Sequence, residues 1–336
     1  MNRMNAIANS IAGTMLSPGL VARFRDPQLL WLFGGILGLL VVASVMGSML
    51  SRFVRSDSAR ATVDNLNARI RAWWTMSAIF LLTMVVGQVG SLFLFALMSL
   101  LALREYITLT PTRRADHRTL LWTFFVVTPV QYYLIGIRWY GLFAILIPVA
   151  VFALIPTHIA LRGDTEHFLE RVAKIQFGIM ICVYCLSYAP ALLMLTIPGF
   201  EGKSPQLLLF LVLIAQMSDV LKYTWGKLIG RHQIVPGVSP NKTWEGFIGG
   251  VLSATAIGAA LWRFTPFQPW PAAGLSLVIA LLGAAGGLVM SAIKRDAHVK
   301  DFGSLIEGHG GMLDRIDSIC FAAPVFFHIV RYYYVP

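Results

Sequence analysis

Long apolar runs separated by short polar segments occupy most of the chain. Each run is roughly 20 residues long, about the length that an α-helix needs to cross the hydrocarbon core of a bilayer. We therefore predict an all-α polytopic membrane protein. The regular predicted spans are Leu29–Leu50, Thr119–Ile137, Trp139–Leu161, Phe177–Ile197, Gln206–Ile229, Trp244–Phe264, Ala272–Ile293 and Ile319–Tyr334.

A further stretch, Trp73–Leu103, is too long for one upright helix. A single helix there would measure about 46 Å, well beyond a hydrocarbon thickness of about 30 Å. Gly87–Gly90 lies at its centre, so we predict two short helices joined by a turn, with one strongly tilted helix as the alternative. Two helices also keep the basic segments before and after this stretch on one side of the membrane. The total is then about 9–10 transmembrane helices.

Composition agrees with a membrane protein and limits its partners. Of 336 residues, 57% are hydrophobic and 13% are charged, and the mean hydropathy is +0.70. Ordinary soluble domains are less apolar. The formal net charge of +11 comes from segments rich in Arg and Lys, which the positive-inside rule places in the cytoplasm, facing anionic lipid. We expect membrane lipids as partners, and no nucleic acid.

The polar segment Ser51–Arg71 separates the first span from the others. We predict that residues 1–72 form an N-terminal extension with one transmembrane helix and a basic cytoplasmic segment, and that residues 73–336 form the main transmembrane domain. Residues 1–28 lack the apolar core and cleavage site of a signal peptide, so we expect them to stay in the mature chain at the membrane surface. The three cysteines lie in apolar runs, which favours helix packing over a disulfide or zinc site.

The densest cluster of polar residues, Ser291–Asp317, lies between the last two predicted spans. Cations neutralise phosphate oxygens, carboxylates hold divalent metals, and glycine lets backbone N–H groups approach an anion. A loop needed only for topology would not require acids, glycines and a histidine among its cations, so this segment indicates a phosphate-handling site. Its candidate residues are Lys294, Arg295, Lys300, Asp301, His309, Gly310, Gly311, Asp314 and Arg315.

A second polar segment, Ser218–Gly246, begins inside an apolar run. Asp219 lies at the predicted cytoplasmic end of a span, where an unpaired carboxylate is costly and indicates function; pairing with Lys222 is the structural alternative. The sequence V-S-P-N-K-T-W-E-G then forms a proline-turned loop before a helix whose N-terminus favours an anion, with the first serine as a candidate helix cap. Its candidate binding residues are Ser239, Asn241, Lys242 and Thr243.

Both segments resemble one enzyme family. The pattern S-x-x-K-R-x4-K-D-x-G-x3-I-x-G-H-G-G-x-L-D-R-x-D, from Ser291 to Asp317, closely resembles the C-terminal signature of the phosphatidate cytidylyltransferases, also called CDP-diacylglycerol synthases. The S-P-x-K-T-x-x-G motif at Ser239–Gly246 and the G-K-x-x-G-R-H segment at Gly226–His232 are similar to two more motifs of that family. The resemblance covers roughly Trp73–Pro336.

The chain departs from the family pattern in two places. Lys222 precedes Tyr223 where the family usually has Ala. Many members also have G-D-x-x-E-S before the K-R pair, whereas Gly287 and Met290 replace those two acids here. Because Mg²⁺ often uses only one or two protein carboxylates, the remaining acids are enough for a metal site. The alternative is a divergent paralogue with altered substrate or activity.

The resemblance implies transfer of CMP from CTP to phosphatidic acid, giving CDP-diacylglycerol and pyrophosphate in phospholipid biosynthesis. It implies Mg²⁺, with a monovalent cation as a further option, and an active site on the cytoplasmic face of a bacterial inner membrane. The implied metal ligands are Asp219, Asp301 and Asp314, and the catalytic set adds Lys300 and Arg315. The implied substrate-binding residues are Ser239, Asn241, Lys242, Thr243, Lys294, Arg295, His309, Gly310 and Gly311.

Alternatives fit the same residues. One is a cytidylyltransferase for another lipid phosphate. Another is a protein that binds or moves an anionic lipid without chemistry, although a transporter is expected to carry polar groups near the bilayer midplane, whereas the charges here concentrate at one face. Asp317 is left between a direct role and the orientation of Arg315, and a homodimer is left open.

Overall fold

The computed structural model of the chain describes residues 27–53, 57–110, 112–114, 116–305 and 310–336. Helices dominate it, and eight of those in the described residues are long and apolar enough to cross a membrane. The predicted all-α polytopic membrane fold is therefore confirmed. The eight candidate spans are Phe33–Phe53, Gln88–Thr108, His117–Gly136, Tyr140–Ala160, Phe168–Met194, Ser204–Ile229, Trp244–Phe264 and Pro269–Asp296.

The chain divides into two compact units. One unit ends at Phe93 and also takes in the described part of Ser304–Gly310. The other unit comprises Leu94–Gly303 and Gly311–Pro336. The predicted boundary after residue 72 falls inside a helix of the first unit, and the division into an extension and a main domain stays a prediction.

Two long helices pack together in the first unit: α1 (Pro27–Phe53) and α2 (Asp57–Val86). Trp74 Nε1 in α2 donates a hydrogen bond to Ser44 Oγ in α1 at 3.0 Å. Helix α2 contains neither glycine nor proline, so nothing in its sequence interrupts the helical hydrogen bonds before residue 87.

Gly87 separates α2 from α3 (Gln88–Thr108), as the sequence pattern predicts. Its φ of +92° lies in the left-handed region that glycine adopts without a Cβ clash. The two helices are 30 and 21 residues long, so they are longer than predicted. Of the two, α3 is a candidate span and α2 is not, because charged residues fill the first half of α2.

Several spans of the second unit are assembled from shorter helices and irregular turns, whereas Ser204–Ile229 and Pro269–Asp296 are continuous helices. Wide π-helical turns at Thr123–Val127 and Leu146–Val151 lie just before or around a proline, which has no N–H to continue an α-helical ladder. A third π-helical turn is Met180–Cys185, and 3₁₀ turns follow at Leu192–Met194 and Leu261–Phe264. The α-helices of this unit after α3 are α4 His117–Trp122, α5 Thr128–Gly136, α6 Tyr140–Ile145, α7 Phe152–Ala160, α8 Phe168–Ile179, α9 Leu186–Ala191, α10 Ser204–Ile229, α11 Trp244–Ala260, α12 Pro269–Asp296 and α13 Leu313–Tyr334.

Helices α10 to α13 pack against one another and carry both polar segments. Helix α11 packs between α10 and α12, with Val251 and Ala280 in a small apolar core, and α13 packs on α10 and α12. The predicted last span, Ile319–Tyr334, is part of α13, whose charged and tyrosine-rich ends keep it out of the eight candidate spans.

A short antiparallel hairpin joins α10 to α11. Strand β1 (Gln233–Val235) pairs with β2 (Ser239–Thr243), and Gln233 lies opposite Thr243. The sequence pattern predicts only a loop here, because the S-P-N-K-T segment has little β propensity and contains a proline. Gln233 Nε2 donates to Pro240 O at 2.9 Å, which adds a side-chain tie between the strands.

Candidate functional site

Glycines let α10 and α11 cross closely, next to the hairpin. A Cβ on Gly246 would lie 2.7 Å from Lys222 O and 2.9 Å from Gly226 Cα, and a Cβ on Gly250 would lie 2.5 Å from Lys222 N. Real Cβ atoms do not tolerate such contacts, so larger residues would push the helices apart. The crossing therefore fixes the start of α11 and the preceding strand β2 against the second half of α10.

Thr243 begins α11 as its N-cap. Its backbone is extended, and its Oγ1 accepts a hydrogen bond from Gly246 N at 3.2 Å. A Cβ on Gly230 would lie 2.6 Å from the same hydroxyl, so the glycine makes room for the cap. Ser239, the predicted candidate cap, instead lies at the start of β2, four residues before the cap. The nucleotide-binding role of Thr243 stays a prediction.

Glu245 ties the hairpin to the first turn of α11. Its Oε2 accepts hydrogen bonds from Arg231 N at 3.1 Å and from His232 N at 3.2 Å, and its Oε1 lies 2.5 Å from His232 Nδ1. These contacts join the end of the G-K-x-x-G-R-H segment to the S-P-N-K-T-W-E-G segment. The two motifs therefore form one structural element.

Two carboxylates meet at the hydroxyl of Ser318. The hydroxyl donates to Asp219 Oδ2 at 2.6 Å and lies 3.3 Å from Asp317 Oδ1, which also accepts Ser318 N at 2.7 Å. The other oxygen of Asp219 pairs with Lys222 Nζ at 2.8 Å. Asp219 is thus both ion-paired, as the structural alternative predicts, and part of an acidic pair with Asp317. We call Asp219, Asp317 and Ser318 the carboxylate cluster.

Asp317 is held in an environment that disfavours its negative charge. Burial, and then the negative charge of Asp219, raise the pKa of Asp317 to about 6. Asp317 lies outside the eight candidate spans. Removal from water and a nearby like charge both favour the protonated form, so a bound cation would stabilise this carboxylate pair.

Lys242 and Asp317 face the same gap beside α12. A Cβ on Gly287 would lie 3.4 Å from Lys242 Nζ and 3.6 Å from Asp317 Oδ2, so both polar groups border that position. Burial lowers the pKa of Lys242. Among the described residues, Lys242 takes part in no ion pair. A half-buried ammonium without an ion-pair partner is suited to an anionic ligand.

The two positions that lack acids have different surroundings. Gly287 borders Lys242 and Asp317, so an acid there would reach the carboxylate cluster. Met290 is fully buried in the hydrophobic core, where an acid would need a buried partner. Of the two positions where the family pattern has an acid and this chain does not, the structure therefore places residue 287 beside the site and residue 290 in the apolar core.

Asp314 organises the loop before α13. Its Oδ2 accepts Phe302 N at 2.9 Å and Gly311 N at 3.0 Å, and its Oδ1 pairs with Lys294 Nζ at 2.8 Å. The Asp314 side chain is only 4% exposed. Its oxygens already have protein partners, which makes Asp314 a poor metal ligand, and Lys294 is correspondingly not a free phosphate-binding cation.

The predicted metal set does not come together. Within the described residues, no group of three or more His, Cys, Asp or Glu side chains is placed to hold a metal ion. Asp301 is exposed, and Asp314 is occupied by backbone N–H groups and Lys294. Instead, the structure brings Asp219 and Asp317 to the same hydroxyl of Ser318. The sequence alone leaves the role of Asp317 open.

Glu105 is a site residue that the sequence reasoning missed. Its Oε1 accepts Met312 N at 2.8 Å and its Oε2 accepts Leu313 N at 2.8 Å. These bonds and the one from Gly311 N to Asp314 use the three successive amides of residues 311–313, which lead into α13. At the predicted anion turn, these three amides therefore already have protein carboxylates as partners. In the sequence, Glu105 follows Arg104 just after the predicted apolar stretch Trp73–Leu103, so no local signal sets it apart from an ordinary charged residue at the end of a span.

Gly310 has φ +80°, which explains a glycine at that position. His309 lies outside the described residues, so its assignment stays a prediction.

The remaining predicted residues differ in their exposure. Lys300 and Asn241 are exposed. Arg295 Nε donates to Val238 O at 3.3 Å, which links the end of α12 to the hairpin turn. Arg315 O accepts Gln216 Nε2 at 3.3 Å, and Arg315 Nε is buried with no hydrogen-bond partner in the described part of the chain. That guanidinium therefore has a donor left for a ligand.

Comparisons with known proteins agree with these motifs. Residues 67–333 match the profile of the cytidylyltransferase family. YnbB, an uncharacterized protein of Escherichia coli K12, is 39% identical over 300 residues, which cover 88% of this chain and 97% of YnbB. A phosphatidate cytidylyltransferase of Staphylococcus aureus is 37% identical over 158 residues, 46% of this chain and 61% of that enzyme. A second one, from Staphylococcus saprophyticus, is 34% identical over the same length.

Proposed function

Since this chain belongs to the cytidylyltransferase family, we propose that it transfers CMP from CTP to phosphatidic acid in the membrane, giving CDP-diacylglycerol and pyrophosphate. The observation that carries the proposal is the gap at Gly287, bordered by the ammonium of Lys242 and by the carboxylate of Asp317. A carboxylate pair that would bind a cation, beside a half-buried ammonium without an ion-pair partner in the described residues, suits a triphosphate.

The reaction needs no nucleophile from the protein. An oxygen of the lipid phosphate attacks the α-phosphorus of CTP, and the bond from that phosphorus to the β-phosphate oxygen breaks. The electron pair of the broken bond leaves with pyrophosphate. The protein must align the two phosphates in line and offset the negative charge that develops on their oxygens.

The carboxylate cluster fits a magnesium ion. Asp219 and Asp317 share the Ser318 hydroxyl, and burial together with the negative charge of Asp219 raises the pKa of Asp317, so a cation bound between the two carboxylates would stabilise their charged forms. Mg²⁺ commonly takes one or two protein carboxylates, with phosphate oxygens and water as its other ligands. Asp219 and Asp317 would hold the ion, which when bound neutralises and orients the triphosphate.

The basic side chains would neutralise the negative charge of the substrate phosphates that the metal ion leaves uncompensated. Lys242 would contact the triphosphate from β2, with Ser239 and Asn241 on the same strand as further nucleotide contacts. Arg315, with a free buried Nε, would hold the lipid phosphate or the leaving group, because a guanidinium suits phosphate geometry. Arg295 and Lys300 lie on the surface, where they would attract anionic lipid at the cytoplasmic face.

A lipid panel tests the substrate. Purified wild type in detergent micelles receives labelled CTP, Mg²⁺ and one lipid phosphate at a time, and label in the lipid phase is measured. Asp317→Asn is the site variant. Glu170→Gln is the matched control, because Glu170 is exposed and its ion-pair partners among the described residues are Lys174 and His167.

We expect phosphatidic acid to be labelled by the wild type and by Glu170→Gln, but not by Asp317→Asn. Labelling of another lipid phosphate in place of phosphatidic acid would overturn the substrate assignment. Labelling of none, by protein shown to be folded, would overturn the reaction and favour a role in binding or moving anionic lipid.

A further inference from the structure

Glu105 has an unusual position for a carboxylate. It lies in α3, a candidate membrane span, and among the described residues it takes part in no ion pair. Its two oxygens instead accept the N–H groups of Met312 and Leu313, each at 2.8 Å. Glu105 lies half-buried in the last turn of α3, next to Arg104, and among the described residues its hydrogen-bond partners are the amides at the N-terminus of α13, where the helix dipole favours a negative charge.

Two glycines shape the pocket that receives this carboxylate. A Cβ on Gly303 would lie 3.0 Å from Glu105 Oε1, and a Cβ on Gly311 would overlap Glu105 Oε2 and lie 2.8 Å from Oε1. Glu105 therefore lies against Gly303 and Gly311, which belong to the same compact unit as Glu105. We call Glu105, Gly303, Gly311, Met312 and Leu313 the Glu105 clamp.

The clamp is directly joined to the residues of the candidate site. Leu313 precedes Asp314, whose carboxylate binds Phe302 N, Gly311 N and Lys294. One helical turn after Leu313, α13 presents Asp317 and Ser318 to Asp219. A shift or fraying of the first turn of α13 would move these groups relative to α10, because they belong to one rigid helix.

We propose that Glu105 is a positioning residue for cytidylyl transfer, which holds the start of α13 so that Asp317 and Ser318 stay aligned with Asp219 and Lys242. The inference rests on the proposed function. Glu105 would touch neither nucleotide nor lipid. Its effect would come through two charge-assisted hydrogen bonds to the helix N-terminus, which place α13.

Glu105→Gln and Glu105→Asp test the proposal. Glutamine keeps the length and one acceptor oxygen, but its amide nitrogen cannot accept the second N–H. Aspartate keeps the charge but is one methylene shorter, so it cannot reach both amides. Glu170→Gln again serves as the control, because it removes an exposed carboxylate of another helix.

Transfer to phosphatidic acid is measured for folded, monodisperse protein at several CTP concentrations. We expect kcat of both Glu105 variants to fall by about 10-fold or more, while the KM for CTP changes by less than about threefold, since alignment affects the transition state most. A purely structural role predicts less folded protein with unchanged kcat and KM per folded molecule.

Hydrogen exchange of the backbone provides a readout independent of turnover. The amides of Met312 and Leu313 are expected to exchange faster in Glu105→Gln than in the wild type and in Glu170→Gln. If the wild type transfers no label, the proposed function is wrong, and so is a positioning role in that reaction. The exchange rates of the Met312 and Leu313 amides then still show whether Glu105 holds the start of α13. If the wild type is active and Glu105→Gln matches it in kcat, KM and exchange, the positioning role is wrong.

Discussion

The hydroxyl of Ser318 donates a hydrogen bond to Asp219 at 2.6 Å, which joins α13 to α10 through a carboxylate. The same hydroxyl lies 3.3 Å from Asp317, so one small side chain spaces two acids. This spacing is the basis of the proposed magnesium site, and it depends on helices that lie far apart in the sequence.

Replacing Ser318 by alanine should weaken magnesium binding. A hydrogen bond to a charged group contributes about 1.5–3 kcal/mol, and its loss lets the two carboxylates move apart. We expect Ser318→Ala to raise the half-saturating Mg²⁺ concentration about 10-fold in the transfer assay, while Ser318→Thr keeps the hydroxyl and stays closer to wild type. Thr255→Ala, which removes a hydroxyl bonded only to Val251 O, is the control. Equal Mg²⁺ dependence of Ser318→Ala and wild type would count against this spacing role.

Removing the ammonium of Lys242 should raise the requirement for CTP. This cation is half-buried beside the carboxylate cluster and has no ion-pair partner in the described residues, so its charge remains available for a triphosphate. We expect Lys242→Met to raise the KM for CTP about 10-fold or more, with a smaller effect for Lys242→Arg. Lys174→Met, at an exposed pair on α8, should leave the KM for CTP unchanged. An unchanged CTP dependence of Lys242→Met would remove this residue from the nucleotide site.

An acid at residue 287 should strengthen metal binding. The Cβ of Gly287→Asp would point to Lys242 Nζ and Asp317 Oδ2, which lie 3.4 and 3.6 Å away. A third carboxylate should therefore lower the half-saturating Mg²⁺ concentration several-fold, whereas Gly287→Asn, with the same shape and no charge, should not. If both variants need as much Mg²⁺ as the wild type, residue 287 does not face a metal site.

Asp314→Asn should act on stability more than on metal binding. The mutation breaks a pair in which Lys294 and Asp314 side chains are 15% and 4% exposed. Breaking a buried pair from one side costs about 3–5 kcal/mol, so we expect a lower thermal unfolding midpoint and little change in Mg²⁺ dependence of the remaining folded protein. The opposite pattern, normal stability with a greater need for Mg²⁺, would restore Asp314 as a metal ligand.

Hydropathy predicts most of the helices, because a lipid-facing helix must be apolar over its full length. The span Trp244–Phe264 is predicted to the residue, and the break at Gly87 follows from the only residue type that adopts φ +92° readily. The hairpin β1–β2 could not be predicted from local propensity, since its strands are short and form a two-stranded sheet in the described part of the chain.

The site was harder to predict than the spans, because its roles depend on tertiary contacts. The motifs identify Asp219, Lys242 and Asp314 as candidate site residues. Only the packing of α10, α12 and α13 shows that Asp314 accepts hydrogen bonds from loop amides and that Asp317 lies with Asp219 at the Ser318 hydroxyl. Glu105 lies in a different apolar span, and no local motif connects it with α13.

The most direct test of the central claim follows two phosphates of CTP at once. Wild-type protein and Asp317→Asn are incubated with Mg²⁺, phosphatidic acid and CTP labelled at either its α- or its γ-phosphate. We expect the α-label to enter the lipid phase and the γ-label to leave as pyrophosphate, with wild type only. γ-Label in the lipid, or α-label transfer of equal rate by Asp317→Asn, would contradict cytidylyl transfer at the carboxylate cluster.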